Sequence, residues 1–433
     1  MFCNQCEQAS RGVGCSSAVG VCGKDADVQS LQDIILFGLK GMAAYAHHAR
    51  RLGKSDPAVS AFLEEALFST MTNVNFDIPT LFELAMQLGQ HNLRVMEMLD
   101  EAHVETFGKP SPTQVREGTL AGPGILITGH DLLDLADLLK QLEGTNIKVY
   151  THGEMLPAHM YPKLREHPNL AGQYGSAWQE QRKEFAAFPG PILATTNCVL
   201  IPTPAYADRL FTTRATAVPG GTRLTTNDFS ALIAKAKTCP PCVDNLVRTT
   251  TVGFHRSVLL DAAPTIVQAV KDGKISHFYV IGGCDGAEPG RNYFSDYAAA
   301  TPPDSFILTL GCGKYRIRNQ EHGTLLGLPR LLDMGQCNDA YGAIAVAIAL
   351  AKAFNCSVNE LPLTLCISWF EQKAVAVLLT LLSLGVKGIS IGPNPPAFVT
   401  PNVFKILQEK FDLKLTGNDG RRDVALSLQQ IPA

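Results

Sequence analysis

Three cysteines in the second half of the chain each follow an apolar run of residues and lie within two residues of a glycine. The segments are residues 278–284, 306–312 and 331–337, which end at Cys284, Cys312 and Cys337. Such runs are typical of buried strands, and in an open parallel sheet the loops at the carboxyl ends aim side chains into one crevice. We therefore predict a site for a metal or an inorganic cluster. Three buried, inert cysteines are the alternative, because free Cys is among the most buried residue types.

Four more cysteines lie close together at the start of the chain. Cys3, Cys6, Cys15 and Cys22 have the spacing Cys-x2-Cys-x8-Cys-x6-Cys in a segment rich in glycine and serine. Four thiolates on one loop match the way proteins hold iron–sulfur clusters. Zinc is the alternative, but zinc sites usually combine two separate Cys-x2-Cys pairs. Disulfides are less favoured, because the first residues contain no secretory signal and disulfides are rare in reducing compartments.

Other residues that can bind a metal follow the remaining strand-like runs. They are His130 after 124–128, Glu154 after 147–150, Cys198 after 192–194 and Glu371 after 363–367. With the three cysteines above, the set holds four thiols, one imidazole and two carboxylates. Nitrogen and oxygen ligands suit iron that also binds oxygen or a small molecule, so the mixture predicts catalysis at iron. Taken singly, His130 or Glu154 is equally well explained as a helix cap or a hydrogen-bonded polar residue.

The pattern between these residues predicts an α/β fold. Helical patterns with one apolar face cover residues 28–52, 57–72 and 79–102, which predicts an N-terminal three-helix bundle. A stretch rich in glycine and proline at 107–124 indicates a linker. Beyond it strands alternate with helices, which predicts two Rossmann-like, doubly wound α/β domains. The predicted domains are residues 1–115 with the cluster loop and the bundle, residues 120–250 and residues 251–433.

The composition excludes some classes of partner. The chain has 433 residues, of which 46% are hydrophobic and 18% charged, and its net charge is -3. Such a chain is globular and lacks the basic surface that nucleic acid requires. The apolar stretch at 374–386 is too short to span a bilayer, so we expect no membrane partner and a cytoplasmic location.

A further Cys-x2-Cys pair, Cys239 and Cys242, follows a helical pattern instead of preceding one. The pair is a candidate redox dithiol or half of a metal site. Nothing pairs with it locally, so we interpret it as structural or incidental.

The motifs around these residues resemble the hybrid cluster proteins, also called prismane proteins or hydroxylamine reductases, which are relatives of carbon monoxide dehydrogenase. The resemblance runs from Met1 to about Val403, and the single helical bundle is similar to the short members of the family. The matching motifs are Phe-Cys3-Asn-Gln-Cys6, Thr-Gly-His130-Asp, Thr-His-Gly-Glu154-Met, Thr-Asn-Cys198, Gly-Gly-Cys284-Asp-Gly, Gly-Cys312-Gly-Lys-Tyr-Arg, Gly-Gln-Cys337-Asn-Asp and Ser-Trp-Phe-Glu371-Gln-Lys373.

The resemblance implies two clusters. The four N-terminal cysteines would hold one, of a form more similar to 4Fe-4S than to 2Fe-2S. A hybrid iron–sulfur–oxygen cluster would be the other, with Cys284 carrying an extra sulfur as a persulfide. Its implied ligands are His130, Glu154, Cys198, Cys284, Cys312, Cys337 and Glu371. The residues that we expect to be catalytic are Glu154, Cys284, Glu371 and Lys373.

The resemblance also implies a function. We expect an oxidoreductase that reduces hydroxylamine to ammonia and water, nitric oxide to nitrous oxide, or both, with electrons from a donor protein that the sequence does not identify. The alternatives are a nitric oxide sensor that transfers nitroso groups to partner thiols and a redox enzyme like carbon monoxide dehydrogenase. The sequence does not separate a sensor from a reductase, and it fits a monomer or a homodimer.

Overall fold

The computed structural model describes residues 3–9, 12, 14–288 and 290–429, and three long helices form its N-terminal part. The helices are α1 (Ala26–Arg51), α2 (Pro57–Ser69) and α3 (Ile78–Phe107). Each is preceded by an aspartate, Asp25, Asp56 or Asp77, whose side chain accepts a hydrogen bond from a backbone N–H of the first turn. All three helices were predicted, and their ends agree within five residues.

The first sheet follows α3 and consists mainly of parallel strands. Its strands are β1 (Thr113–Thr119), β2 (Gly124–Thr128), β3 (Lys148–His152), β4 (Leu170–Gln173), β5 (Ile192–Ala194), β6 (Leu210–Thr213), β7 (Thr222–Leu224) and β8 (Asn245–Val252). They lie in the order β7-β6-β5-β2-β3-β4-β1-β8, and all neighbours are parallel except β1 and β8. The helices of this part are α4 (Leu132–Gln141), α5 (Pro162–Arg165), α6 (Gln181–Ala187) and α7 (Ser230–Thr238).

The second sheet is entirely parallel. Its part of the chain contains α8 (Arg256–Asp261), α9 (Ala263–Lys271), β9 (His277–Gly283), α10 (Tyr293–Ala300), β10 (Ser305–Thr309), β11 (Thr324–Leu325), β12 (Leu328–Pro329), β13 (Leu331–Asp333), α11 (Ala340–Phe354), β14 (Leu363–Ser368), α12 (Gln372–Ser383), β15 (Ser390–Gly392), α13 (Pro401–Phe411), β16 (Lys414–Leu415) and α14 (Gly420–Gln429). The strand order is β13-β10-β9-β14-β15-β16, and β11 pairs only with β12.

The predicted fold class is confirmed, because a helical N-terminal region precedes two sheets whose strands alternate with helices. The exact division into three domains stays a prediction. The linker predicted at 107–124 is wrong over its middle, where β1 lies between β4 and β8. Val115 is the one large apolar residue of β1, so no apolar run marks this strand in the sequence.

A fourth helix, α12, joins the predicted bundle by packing against both α1 and α3. At Gly41 of α1, a Cβ atom would lie 2.5 Å from the carbonyl oxygen of Gln372, and at Gly89 of α3 it would collide with the carbonyl of Leu379. Only glycine lets the helices approach this closely. The N-terminal helices α1 and α3 therefore fix the position of α12 in the fold.

One helical run among the described residues, Cys337–Phe354, is long and apolar enough to cross a bilayer by length and composition alone. Helix α11 forms most of this run, and it packs against α3, α8 and α9. Its apolar residues therefore contribute to the core between the second sheet and the bundle.

Burial of His277 makes the stability depend on pH. Its Nε2 lies 2.8 Å from Thr364 Oγ1, which joins β9 to β14. Burial lowers the pKa of His277 to about 4, so the folded protein keeps this imidazole neutral while the unfolded chain binds a proton below pH about 6.5. This contribution to stability is complete above pH about 6.5 and is lost as the pH falls towards 4.

The free energy of unfolding should fall less for the His277→Gln variant than for the wild type when the pH is lowered from about 7 to about 4.5. The two decreases should differ by about 3 kcal/mol at most. The reason is that glutamine can still bond to Thr364 but does not take up a proton. Urea unfolding across that pH range measures the difference. His91→Gln, at a half-buried site on α3, is the control and should follow the wild type more closely; equal slopes for all three proteins would contradict the assignment.

Candidate metal centre

Loops from the carboxyl ends of both sheets meet at one point. Cys337, after β13, donates its backbone N–H to Glu154 Oε2, after β3, at 2.9 Å. The neighbouring Gln336 is buried, and its Nε2 donates to the carbonyl oxygens of His130 (3.1 Å) and Glu154 (2.7 Å). One side chain therefore ties the second sheet to two strands of the first.

His130, Glu154 and Cys337 form the tightest group of possible metal ligands among the described residues. Their ligand atoms all lie within 4.8 Å of one another, and His130 Nε2 is 3.8 Å from Glu154 Oε2. Glu154 Oε1 is buried and has no hydrogen-bond partner within the described structure. A buried carboxylate oxygen without a donor is costly unless a cation satisfies it, so this group fits a metal.

The other three predicted thiols surround this group. Burial raises the pKa of Cys312 well above its ordinary value, and the charges of Glu154, Cys198 and Cys284 raise it further. Burial also raises the pKa of Cys337 to about 12, although a nearby lysine opposes the change. Thiols with raised pKa values hold their protons in the absence of metal, so metal binding here must release protons.

The start of α12 places two more charged groups beside these thiols. Glu371 caps the helix, because its Oε2 accepts a hydrogen bond from the backbone N–H of Lys373 at 3.0 Å. The backbone N–H of Phe370 donates to Cys284 Sγ at 3.0 Å. The segment between β14 and α12 thus positions Cys284 and supplies the carboxylate of Glu371.

Lys373, a buried cation of α12, contacts two loops of the first sheet. Its Nζ donates to His130 Nε2 and to Asn197 Oδ1, both at 2.9 Å. Burial alone would lower the pKa of Lys373, but the neighbouring groups Cys337 and Glu371 outweigh burial and raise it. Lys373 is therefore an ammonium, and the Glu371 carboxylate lies 3.8 Å from its Nζ.

His130 is neutral in the same environment. Burial, followed by the charge of Lys373, holds the pKa of His130 well below its ordinary value. Its Nδ1 lies 2.8 Å from Thr196 Oγ1, and its Nε2 faces the centre, where a metal would replace the hydrogen bond from Lys373. A neutral imidazole with a fixed Nδ1 is the form that binds metals.

The four N-terminal cysteines are free and partly exposed in the loop before α1. The backbones of Cys3 and Cys15 exchange two hydrogen bonds, Cys15 N to Cys3 O at 2.6 Å and Cys3 N to Cys15 O at 3.3 Å. This pairing places Cys3 next to Cys15; Cys6 lies between these two residues in the chain, and Cys22 follows them. The loop is near the surface, unlike the centre between the sheets.

An apolar cavity of about 160 Å³ reaches the centre from the side of α11 and α12. Cys284, Cys337 and Glu371 contribute to its lining, and Ile348 and Leu384, which are exposed, lie at its outer part. The remaining walls are aliphatic side chains of the second sheet and its helices. A small molecule with little hydration can therefore approach the thiols without crossing polar surface.

The structure places each of the seven residues predicted around the buried centre within four residues of the end of its strand. His130, Glu154 and Cys337 come together most closely, and Cys198, Cys284, Cys312 and Glu371 lie around them. Their role as ligands stays a prediction. Gln336 and Asn197 were missed, although each immediately precedes a predicted ligand, and Tyr45 of α1, whose pKa is raised by burial and by Cys337, leaves no signal in the sequence.

Cys239 and Cys242 lie apart from this centre. Cys242 is buried, and its backbone exchanges hydrogen bonds with Gly122 at 2.8 and 3.1 Å. Burial raises the pKa of both thiols. The interpretation of this pair as structural or incidental stays a prediction.

Comparison with known proteins places the chain among relatives of one kind. The model of the Prismane/CO dehydrogenase family matches residues 1–84 and 79–420. A protein of Moorella thermoacetica named hydroxylamine reductase is 60% identical, over 96% of this chain and 97% of its own length. One of the same name from Rhodospirillum rubrum is 52% identical over 96% of this chain but only 76% of its own length.

The fold is similar to that of a solved structure with a different name. The Ni-free crystal structure of carbon monoxide dehydrogenase from Thermococcus sp. AM4 superimposes with a TM-score of 0.79 at 16% identity. The match covers 99% of this chain and 90% of the other. At this identity the likeness concerns the fold alone.

Removal of the Gln336 amide should open the centre. Gln336→Leu leaves two buried carbonyl oxygens without a donor, each of which costs about 1–3 kcal/mol. We expect a lower melting temperature and at least a twofold lower iron content per protein, on the order expected for a supporting residue. Gln320→Leu, which removes one hydrogen bond to the carbonyl of Ser295, is the control and should keep its iron. Equal iron content in both variants would show that Gln336 does not support the centre.

Proposed function

This chain belongs to the Prismane/CO dehydrogenase family, and we propose that it is an iron–sulfur oxidoreductase that reduces hydroxylamine to ammonia and water. The observation that carries the proposal is the donor set of buried His130, buried Glu154 and partly buried Cys337, which mixes nitrogen, oxygen and sulfur. The names of its relatives from Moorella thermoacetica and Rhodospirillum rubrum support the substrate.

The residues around this donor set fit a hybrid iron–sulfur–oxygen cluster. Softer thiolates and harder carboxylates suit irons that keep sulfur on one side and oxygen on the other. We assign the ligands to His130, Glu154, Cys198, Cys284, Cys312, Cys337 and Glu371, with the persulfide at Cys284. A bound cluster would supply a site for substrate on iron and the electrons, while the chain supplies protons, orientation and a dry environment.

The reaction cleaves the N–O bond and consumes two electrons and two protons per hydroxylamine. Lys373 is assigned to proton delivery, because its ammonium lies beside the donor set, with Nζ 2.9 Å from His130 Nε2. Burial raises the pKa of Glu154, against the opposing charges of Lys314 and Lys373, so this carboxyl takes up a proton more readily than an exposed one. Glu371, which caps α12, orients the ammonium of Lys373 at 3.8 Å.

Electrons enter at the other cluster. Cys3, Cys6, Cys15 and Cys22 are partly exposed, so we assign a 4Fe-4S cluster to them and expect a donor protein to approach this loop. We propose a cytoplasmic monomer or homodimer.

Nitric oxide is the second candidate substrate, and the apolar cavity favours it. The cavity is lined almost entirely by aliphatic side chains and ends at Cys284, Cys337 and Glu371. Two nitric oxide molecules, two electrons and two protons give nitrous oxide and water, so the same proton and electron supply serves both reactions.

The function is tested on anaerobically purified protein by iron and sulfide analysis, EPR spectroscopy and turnover with a reduced dye. Two iron–sulfur signals and catalytic conversion of hydroxylamine to an equal amount of ammonia are expected. Stoichiometric zinc in place of iron, or consumption that stops after about one equivalent, would refute the proposal.

Replacement of Glu371 by cysteine should convert the centre from catalysis towards electron transfer. Thiolate holds iron more softly than carboxylate, so Glu371→Cys should keep much of its iron while hydroxylamine reduction per iron falls by about two orders of magnitude. Glu371→Gln should fall in between, because its amide oxygen binds iron weakly. Wild-type activity per iron in the cysteine variant would leave Glu371 outside the reaction.

Cys22→Ser should separate the two clusters. The variant loses the N-terminal cluster and electron delivery, but the EPR signal of the buried centre remains, since all of its assigned ligands follow Gly129. Low-temperature EPR of the variant and the wild type provides the measurement. Simultaneous loss of both signals would contradict two independent sites.

A further inference from the structure

Cys198 has an unusual backbone conformation. Its φ angle is +66°, in the left-handed region that residues with a side chain rarely adopt. It lies in the loop after β5, which has no regular hydrogen-bonding pattern of its own. A side chain in such a conformation persists only where its surroundings fix it.

The Gln181 side chain binds the backbone of this loop on both sides of Val199, directly after Cys198. Gln181 begins α6 and is only 1% exposed. Its Nε2 donates to the carbonyl oxygen of Cys198 at 2.5 Å, and its Oε1 accepts from the backbone N–H of Leu200 at 3.0 Å. One amide therefore satisfies both groups, as a neighbouring strand would.

A second set of contacts orients the thiol. Asn197 Nδ2 lies 3.5 Å from Cys198 Sγ, and Asn197 Oδ1 accepts from Lys373 Nζ at 2.9 Å. Lys373 in turn contacts His130. The thiol is thus linked to the centre through its neighbour, whereas the backbone that carries it depends on Gln181.

We propose that Gln181 is a positioning residue that holds Cys198 in the left-handed conformation, so that its thiol already points at the centre before any metal arrives. The inference rests on the proposed function, since it concerns a ligand of the same site. Gln181 touches only the backbone of the loop, and neither the sequence motifs nor the donor set points to it. Without the two hydrogen bonds of Gln181, the loop relaxes to a conformation with negative φ at Cys198. The Cys198 thiol then no longer points at the centre.

The test compares Gln181→Leu, Gln181→Glu and Gln141→Leu. Gln141 is a control of the same geometry, because its Nε2 donates to the carbonyl of Asn227 (2.6 Å) and its Oε1 accepts from Phe229 N–H (2.9 Å). It is more exposed than Gln181 and holds a loop outside the centre. Gln181→Glu keeps the acceptor for Leu200 but loses the donor to Cys198.

The measurements on anaerobic protein are the alkylation rate of Cys198 by iodoacetamide, read by mass spectrometry, and the EPR signal of the buried centre. Gln181→Leu should raise alkylation of Cys198 relative to Cys284 by about tenfold or more and alter the signal. Gln181→Glu should give a smaller change in the same direction, and Gln141→Leu none. If Gln181→Leu is insoluble, Gln181→Glu decides by the same two readouts.

A lower melting temperature of Gln181→Leu with wild-type alkylation and EPR would overturn the inference, because Gln181 would then only stabilise the loop. Failure of the proposed function is a different result: the wild type would bind no iron. In that event alkylation of the metal-free proteins decides, and an unchanged rate at Cys198 overturns the inference while a rate raised about tenfold supports it.

Discussion

The attraction between the Lys373 ammonium and the anionic groups around it is the interaction on which the centre depends. A lone buried ammonium would be unstable, and so would the carboxylates that lie near it. The Glu371 carboxylate, with Oε1 3.8 Å from Nζ, compensates the charge of Lys373, and the neutral His130 accepts a hydrogen bond from Nζ at 2.9 Å. This compensation of charge keeps the donor groups buried close together, so that they are already in place when a metal ion binds.

Three parts of the fold contribute the residues of the centre. The first sheet contributes His130 and Glu154, the second sheet contributes the thiols of its strand ends, and α12 contributes Lys373. A buried carboxylate also joins the bundle to the second α/β part: Asp100 of α3 lies 2.6 Å from His255 Nε2 and accepts a hydrogen bond from Arg256, which is partly exposed. Since Asp100 is buried, loss of Arg256 would remove the cation next to its carboxylate between α3 and α8.

Much of the fold followed from the sequence because its signals are local. Apolar runs such as 278–281 mark buried strands, and the polar residue just after each run marks the strand end where a parallel sheet collects its chemistry. The meeting of the two sheets followed only from the family resemblance, which assigns residues of both α/β domains to one cluster, because the meeting itself depends on long-range contacts such as those of Gln336. The packing of α12 against α1 and α3 was also not predicted, since an apolar helix face indicates burial but does not indicate which helices cover it. Strand β1 escaped notice because its residues are mostly polar.

The close packing of α12 makes the centre depend on Gly41 and Gly89, which lie far from it in the sequence. Gly41 and Gly89 touch no predicted ligand, yet the helix that begins with Glu371 and Lys373 rests directly on them. Any side chain there would lift α12 and move a carboxylate and an ammonium together. Preservation of the centre in evolution therefore requires glycine at both positions. A relative with a larger residue at either one must pack its helical bundle differently to keep the same site.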